Sequence, residues 1–432
     1  MKLSTISLVV ASLLSTSAYA IDNVKVNGDA KLYYSTNDAD SGGQSVSLFN
    51  KTGAMGQAAI GLGATADLTK GVSAGLHFTG LSTLGLQNQL VSGVWESTNG
   101  VSDSWWFDEA WIAGTLGKTT AKVGRMELDT PIVFTEKWSI VKNTFEAAVL
   151  INQDIPDTTL VAAYVGGTNS NNIVNPVTGG SAEANPALTG LGNAGGVIQK
   201  FNANGSTNFG QFYRGAYAIA AINNSYKPLT VQVWGYAAPE YLTAYWLQGD
   251  FKMDGILAGA QYTNTDYNQS VQLPIGQDVS NDAWAIMGGY AMKNVATVKL
   301  SFSQTGTESN AGLGAGMNLA GGASAQSKLY TEAWWNYGYI TRADTQSYNI
   351  SVTGNVAGFD LAAYYTNANS DKNGGTATRP DMKEFTLTGG HSFGPLDATV
   401  AYIYTNADDQ NLDSNGNGQS FNTVQAYLTY KF

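Results

Sequence analysis

The feature that most constrains this chain is an alternation of apolar and polar residues with period two, repeated along nearly its whole length. Period two marks an extended strand whose two faces meet different surroundings. Over 57–68, Ala58, Ile60, Leu62, Ala64, Ala66 and Leu68 share one face, while Gln57, Gly61, Gly63, Thr65 and Asp67 share the other. The same division sets Val24, Val26, Ala30, Leu32 and Tyr34 against Lys25, Asn27, Asp29 and Lys31. It sets Ala296, Val298, Leu300 and Phe302 against Thr297, Lys299, Ser301 and Ser303. Eighteen segments carry the pattern: 24–34, 57–68, 72–84, 104–116, 120–126, 143–152, 158–165, 214–223, 229–238, 241–253, 256–265, 282–292, 295–304, 346–356, 359–368, 382–393, 396–406 and 423–432. In 104–116 and 282–292 the alternation is too poor to assign a face.

The connections alternate as well. From the second segment on, tight turns such as Thr69-Lys70-Gly71, Gly117-Lys118-Thr119, Asp254-Gly255, Lys293-Asn294, Ala357-Gly358 and Gly394-Pro395 take turns with long polar loops. Short turns on one side and long loops on the other imply an all-β, antiparallel transmembrane barrel of about eighteen strands. An even strand number then puts both ends of the barrel on the short-turn side. The longest loops, 166–213 and 305–345, would argue against a compact soluble domain but are ordinary at a barrel's outer rim. Tyrosine and tryptophan gather at strand ends, as in the aromatic girdles at membrane interfaces. The last segment alternates Val424, Ala426, Leu428, Tyr430 and Phe432 with Gln425, Tyr427, Thr429 and Lys431, and its final residue is aromatic.

Lys2, the apolar run Leu3 to Leu14 and Ala18-Tyr19-Ala20 read as a secretory leader over 1–20, with the mature chain expected to begin at Ile21. The run is too short to span a bilayer. The remaining 21–432 is expected to be one barrel domain in a bacterial outer membrane. No later stretch reaches the roughly 18 apolar residues of a transmembrane helix. The mean hydropathy of −0.13 looks soluble, but a barrel strand shows lipid only every second side chain. A net charge of −11 disfavours nucleic acid as a partner. The absence of cysteine removes thiol chemistry and cysteine metal sites.

Three stretches carry a family resemblance: Gly124-Arg125-Met126-Glu127-Leu128-Asp129-Thr130-Pro131, Lys142-Asn143-Thr144-Phe145-Glu146, and Asp157-Thr158-Thr159-Leu160-Val161-Ala162-Ala163-Tyr164. They resemble the campylobacter-type major outer membrane porins, which are related in architecture to the outer-membrane carboxylate channels. The resemblance implies an eighteen-stranded barrel, a homotrimer, and a constriction loop after strand five that folds into the lumen. The chain is expected to be a porin for passive diffusion of small hydrophilic solutes and ions, with no cofactor.

The residues themselves point to the same connection. The segment 127–142 carries Glu127, Asp129, Glu136, Lys137 and Lys142 beside Ile132, Val133, Phe134 and Trp138. Such a segment can lie against an inner wall and present its charges to a pore, where charge clusters select ions by sign. Glu127, Asp129 and Glu136 outnumber Lys137, so a weak cation preference is expected. Lys122 and Lys299 have lumen parity. Arg125 shares parity with Val123 but is expected to turn inward, because a charge facing lipid costs roughly 2–4 kcal/mol at the midplane. The sequence leaves two other readings open: a channel specific for small carboxylates or amino acids, and a barrel that serves as a surface protein or adhesin. No arginine ladder is visible to favour carboxylates. An enzyme is not expected, since neither His77 nor His391 lies in a nucleophile motif. Asp413-Ser414-Asn415-Gly416-Asn417-Gly418 matches half a calcium loop, but Val424 stands where its bidentate Glu belongs.

Overall fold

The structure is a computed structural model that describes residues 21–40, 45–82, 84, 103–137, 140–169, 210–239, 242–267, 279–307, 314–320, 325–370 and 380–432. The expected leader, Trp138 and most of loop 166–213 lie outside these residues.

Eighteen strands follow one another. They are Asp22–Asn37 (β1), Ala54–Thr69 (β2), Val72–Ser82 (β3), Asp103–Leu116 (β4), Thr119–Met126 (β5) and Phe145–Asn152 (β6). Next come Thr158–Thr168 (β7), Gly210–Asn223 (β8), Leu229–Ala238 (β9), Leu242–Met253 (β10), Ile256–Tyr267 (β11) and Val279–Met292 (β12). Ala296–Thr305 (β13), Thr345–Val356 (β14), Phe359–Ser370 (β15), Met382–Phe393 (β16), Leu396–Ala407 (β17) and Phe421–Lys431 (β18) complete the set. Each strand pairs antiparallel with its neighbours in sequence, and β18 returns to β1 in a register running from Asp29↔Lys431 to Asn37↔Thr423. The sheet is closed, so no strand edge is left unpaired. Among the described residues there is no α-helix, and none long and apolar enough to cross a membrane.

The two faces of the wall are inverted relative to a soluble barrel. On β13, Leu300 is 58% exposed, whereas Ser301 and Ser303 of the opposite face are buried. On β14, Tyr348, Ile350 and Val352 are exposed outside, and Ser347, Asn349 and Ser351 are buried inside. An apolar exterior around a polar interior is the arrangement favoured in hydrocarbon, where closure also satisfies every backbone group within the protein. Trp234 and Trp246 follow their parity inward and donate to Gln232 (2.8 Å) and Gln248 (2.9 Å).

The two strands that resisted assignment did so for different reasons. On β12, the inward residues Ala283 and Ala285 are themselves apolar and join a buried cluster with Leu329 and Ile340, so no polar face shows in the sequence. On β4, the ladder to β3 slips between His77↔Glu109 and Phe78↔Phe107, leaving Asp108 as a β-bulge. A bulge adds one residue and inverts the parity beyond it. Phe107 therefore faces out, beside Phe78 and Trp105, while Asp108 and Glu109 both turn toward the lumen.

Candidate functional site

The described residues of 127–144, between β5 and β6, pack against the inner wall and are fixed there by apolar side chains. Ile132 joins the buried cluster that holds Trp234 and Trp246 of the inner wall. Ile140 and Val141 join another with Tyr33, Leu81 and Trp106 of β1, β3 and β4. Burial of such side chains contributes about 1.5–3 kcal/mol each, enough to hold a segment that has little ladder of its own.

The described residues of a second segment, 306–344, dock on the inner faces of β10, β11 and β16. Gln261 of β11 donates to Lys328 O (2.8 Å) and accepts from Tyr330 N (3.0 Å). The Tyr330 hydroxyl donates to Asp250 at 2.5 Å. Glu384 of β16, almost fully buried, accepts from the backbone N–H groups of Trp334 (2.9 Å), Trp335 (3.2 Å) and Asn336 (2.7 Å). One carboxylate thus gathers three consecutive amides of the segment onto the wall. The two segments also grip each other: Leu319 N donates to Ile132 O (2.8 Å), and Asn318 bonds both the N–H (3.1 Å) and the C=O (2.9 Å) of Phe134.

Two of the cavities inside the barrel adjoin at segment 127–144. One, of about 850 Å³, is lined by Asp129, Lys328, Glu332, Trp334 and Tyr364 among others. The second, of about 420 Å³, is lined by Asp29, Lys31, His77, Asp108 and Lys142 among others. Glu127, Lys137 and Tyr427 line both, so they stand at the boundary between them.

The charges form a compact knot. Glu127 is bound by both Lys137 and Lys142. Lys142 also reaches Glu109 at 2.5 Å and lies 3.9 Å from Asp108. Three carboxylates in contact with two ammonium groups leave one negative charge. Burial raises the Glu127 carboxyl, but the bonds and charges of Lys137 and Lys142 outweigh it and hold the group below the usual range. Burial likewise lowers the Lys142 ammonium, yet Glu109 and Glu127 carry it above its ordinary value. Lys122 brings an opposing charge: it faces inward from β5 with its ammonium 4.0 Å over the Trp111 ring.

The expected site residues divide. Glu127 and Lys137 meet at the cavity boundary, and Asp129 lies open to the larger cavity with Lys328 as its ion partner. Lys299 occupies the inner face of β13 but lines neither cavity. Glu136 is a correction: it is 4% exposed, its carboxylate takes Asn318 Nδ2 (2.9 Å) and the Gln326 N–H (3.2 Å), and it joins the two segments instead of facing the pore. Arg125 is a second correction. It stays on the outer face, where its register partners are Ala110 and Glu146, and it bonds Glu146 at 3.0 Å and Phe107 O at 3.1 Å. A carboxylate on the same face neutralises the guanidinium, so no inward turn is needed. Asp108, Glu109 and the anchoring Glu384 were missed; the first two are hidden by the bulge.

The half calcium loop is a turn. Asp413 Oδ1 accepts the N–H groups of Asn417 (2.9 Å) and Asn415 (2.8 Å), and those bonds hold its carboxyl below the usual range. Among the described residues no group of three or more His, Cys, Asp or Glu is arranged to hold a metal ion.

Neither a family model nor a curated protein matches the sequence. Solved structures do. The chain is similar to OccAB1 of Acinetobacter baumannii with a TM-score of 0.69 at 14% identity, covering 97% of this chain and 98% of that one. It is similar to OccK9 (OpdG) of Pseudomonas aeruginosa with a TM-score of 0.68 at 12% identity, covering 95% and 99%. The outer membrane protein OpdK of Pseudomonas aeruginosa gives 0.66 at 11%, covering 95% and 99%. The campylobacter-type resemblance is not confirmed by these likenesses, which show that the closed eighteen-stranded barrel shares its fold with structures of the Occ and Opd series.

Proposed function

We propose that this protein is an outer-membrane porin: a water-filled channel through which small hydrophilic solutes and ions diffuse passively, with a weak preference for cations. The observation that carries the reading is a lumen that is polar and charged behind an apolar outer wall, with two cavities meeting at Glu127 and Lys137. The segment 127–144 is the constriction in this reading. The cation preference rests on the one uncompensated negative charge among Asp108, Glu109, Glu127, Lys137 and Lys142, and Lys122 keeps it weak. Asp129 adds little, because Lys328 balances it.

A solute-specific channel is favoured by one feature, the Trp334 ring stacked on Tyr364 at 5.7 Å in the wall of the larger cavity. Saturable flux separates that reading from simple diffusion. We further propose a homotrimer, on the strength of the resemblance over 124–164 alone; the mass of the detergent-solubilised protein tests it.

The decisive experiment is single-channel recording of the refolded barrel in a planar bilayer under a salt gradient. Discrete steps with a reversal potential on the cation side are expected. A folded, heat-modifiable barrel that never conducts would sink the reading and favour a surface protein.

A further inference from the structure

His77 on β3 and Asp29 on β1 face the lumen from either side of β2, and Gly61 lies between them. A Cβ on residue 61 would stand 2.9 Å from Asp29 Oδ1 and 3.0 Å from His77 Nε2. A side chain at residue 61 would crowd both atoms, so its absence is what lets them come together over Gly61. Their separation is at most 5.9 Å, the two distances laid end to end. The other ring nitrogen, His77 Nδ1, lies 2.6 Å from Asp108 Oδ1. A carboxylate only accepts, so Nδ1 carries the proton and the lone pair of neutral His77 is at Nε2, toward Gly61. Asp108 is 1% exposed and fixes the ring. Asp29, Gly61 and His77 all line the 420 Å³ cavity, and Lys31, 3.2 Å from Asp29 Oδ1, is a competing cation.

We propose that His77 Nε2 and Asp29 Oδ1 form a two-ligand subsite on the pore wall for a hydrated divalent transition-metal ion in transit, such as nickel, copper or zinc. Imidazole nitrogen selects these ions over magnesium and calcium, which prefer oxygen alone. The Asp108–His77 bond is the outer contact that orients a metal-binding imidazole and makes it more basic. Two protein ligands leave the rest of the coordination shell to water. Binding is correspondingly weak, as conduction demands of a site that an ion must also leave. In the absence of metal, Lys31 neutralises Asp29; the arriving ion displaces it.

The proposal rests on the channel reading, and its test keeps the two apart. The sequence has only two histidines, and His391, at the short-turn end, bonds Gly358 O (2.7 Å). An H391Q protein therefore isolates His77. In planar bilayers, nickel is expected to reduce its potassium current in a concentration-dependent way, and magnesium at equal concentration is not. H77Q should raise the half-blocking concentration at least about tenfold, and D108N by about tenfold through loss of the carboxylate charge that makes the imidazole more basic. G61A, whose Cβ would crowd both ligand atoms and push them apart, should do the same as H77Q. K31Q should lower the half-blocking concentration. Equal block by nickel and magnesium, or unchanged nickel block in H77Q and G61A, overturns the site. Absence of any potassium current from a folded barrel overturns the channel reading instead. In that case copper paramagnetic resonance on the detergent-solubilised H391Q barrel decides the site alone. Nitrogen hyperfine coupling that disappears on adding H77Q supports it, and no nitrogen coupling in H391Q overturns it.

Discussion

At the scale of single residues, neighbouring carboxylates do different work because of what surrounds them. Glu109 touches Lys142 inside the lumen, whereas Glu136 is enclosed by Asn318 and the Gln326 amide. Glu109→Gln should therefore move the reversal potential toward anions with little change in stability. Glu136→Gln should leave selectivity alone and destabilise by about 1–3 kcal/mol, the usual consequence of a weakened buried hydrogen bond. Paired salt-gradient recordings and urea titrations separate the two. Glu332 behaves differently again. It shows part of its surface to the larger cavity while its carboxyl is drawn onto Ser327. Burial, with nearby Glu136 adding to it, pushes the group up to about 8 against the pull of the Ser327 bonds. A carboxyl raised by the fold stabilises it in the protonated form; that contribution is complete below the ordinary carboxylate range and is lost as pH rises through about 8. Above that pH the cavity wall gains a negative charge, so cation preference should increase between about pH 7 and pH 9. In Glu332→Gln the curve should be flat; an equal rise in both proteins would refute the assignment. Parity alone located Lys122 and Lys299, since their ladders are regular. Parity also put Arg125 on the outer face; the inward turn expected of it failed because the compensating Glu146 lies on the next strand, and Glu136, in a connection without parity, has a partner some 180 residues away in sequence.

Elements show which parts of the fold are local and which are not. The tight turns were legible because their chemistry is local: Asp254-Gly255 and Ala357-Gly358 both take positive φ at both positions, with φ of 50° and 87° in the first and 53° and 86° in the second. Two-residue hairpins of this hand match the twist of the strands they join. Ala357 is the misfit, since a non-glycine residue in the left-handed region costs roughly 1–2 kcal/mol. Ala357→Gly or Ala357→Asn should raise the urea midpoint with conductance unchanged. The bulge at Asp108 was not legible, because one inserted residue inverts parity without a compositional mark. Gly124 is a related irregularity, with φ of 128° and no room for a side chain beneath Ala110 O, which a Cβ would meet at 2.2 Å. The docking of 306–344 was also hidden, as its low-complexity sequence gives no period. Glu384 is the residue on which that docking turns. Glu384→Ala leaves the amides of Trp334, Trp335 and Asn336 without their acceptor, at about 1–3 kcal/mol for each buried group. The segment should then leave the wall, giving larger and noisier current steps. Unchanged steps would show that Gln261, Asp250 and the apolar contacts suffice.

For the whole molecule, closure is the property on which everything else depends, because an open edge in hydrocarbon would leave several kcal/mol of unsatisfied backbone per group. The seam between β1 and β18 is where closure is made, and its partners are the two ends of the chain's ladder. Phe432 continues the seam beyond β18: its N–H donates to Gly28 O (2.9 Å), and Gly28 N–H donates back to its carbonyl (2.7 Å). Its ring lies over Gly28, where a Cβ would come within 2.4 Å of Cε2. The side chain also stands on the lipid face, in line with Leu428 and Tyr430. Sequence alternation placed the ring on that face; it did not show that residue 28 must be small to receive it. Deleting Phe432 removes two ladder bonds, worth about 0.5–1.5 kcal/mol each, together with apolar area over the seam. Gly28→Ala keeps the bonds but forces the ring aside. Both changes should lower the temperature at which the heat-modifiable band converts on gels, with the deletion the more severe. Neither should alter the selectivity of those channels that do form, because the seam residue faces lipid and the charged knot lies on the opposite face of the wall. A deletion that changes ion preference while leaving conversion temperature intact would mean that Phe432 acts on the pore and not on closure.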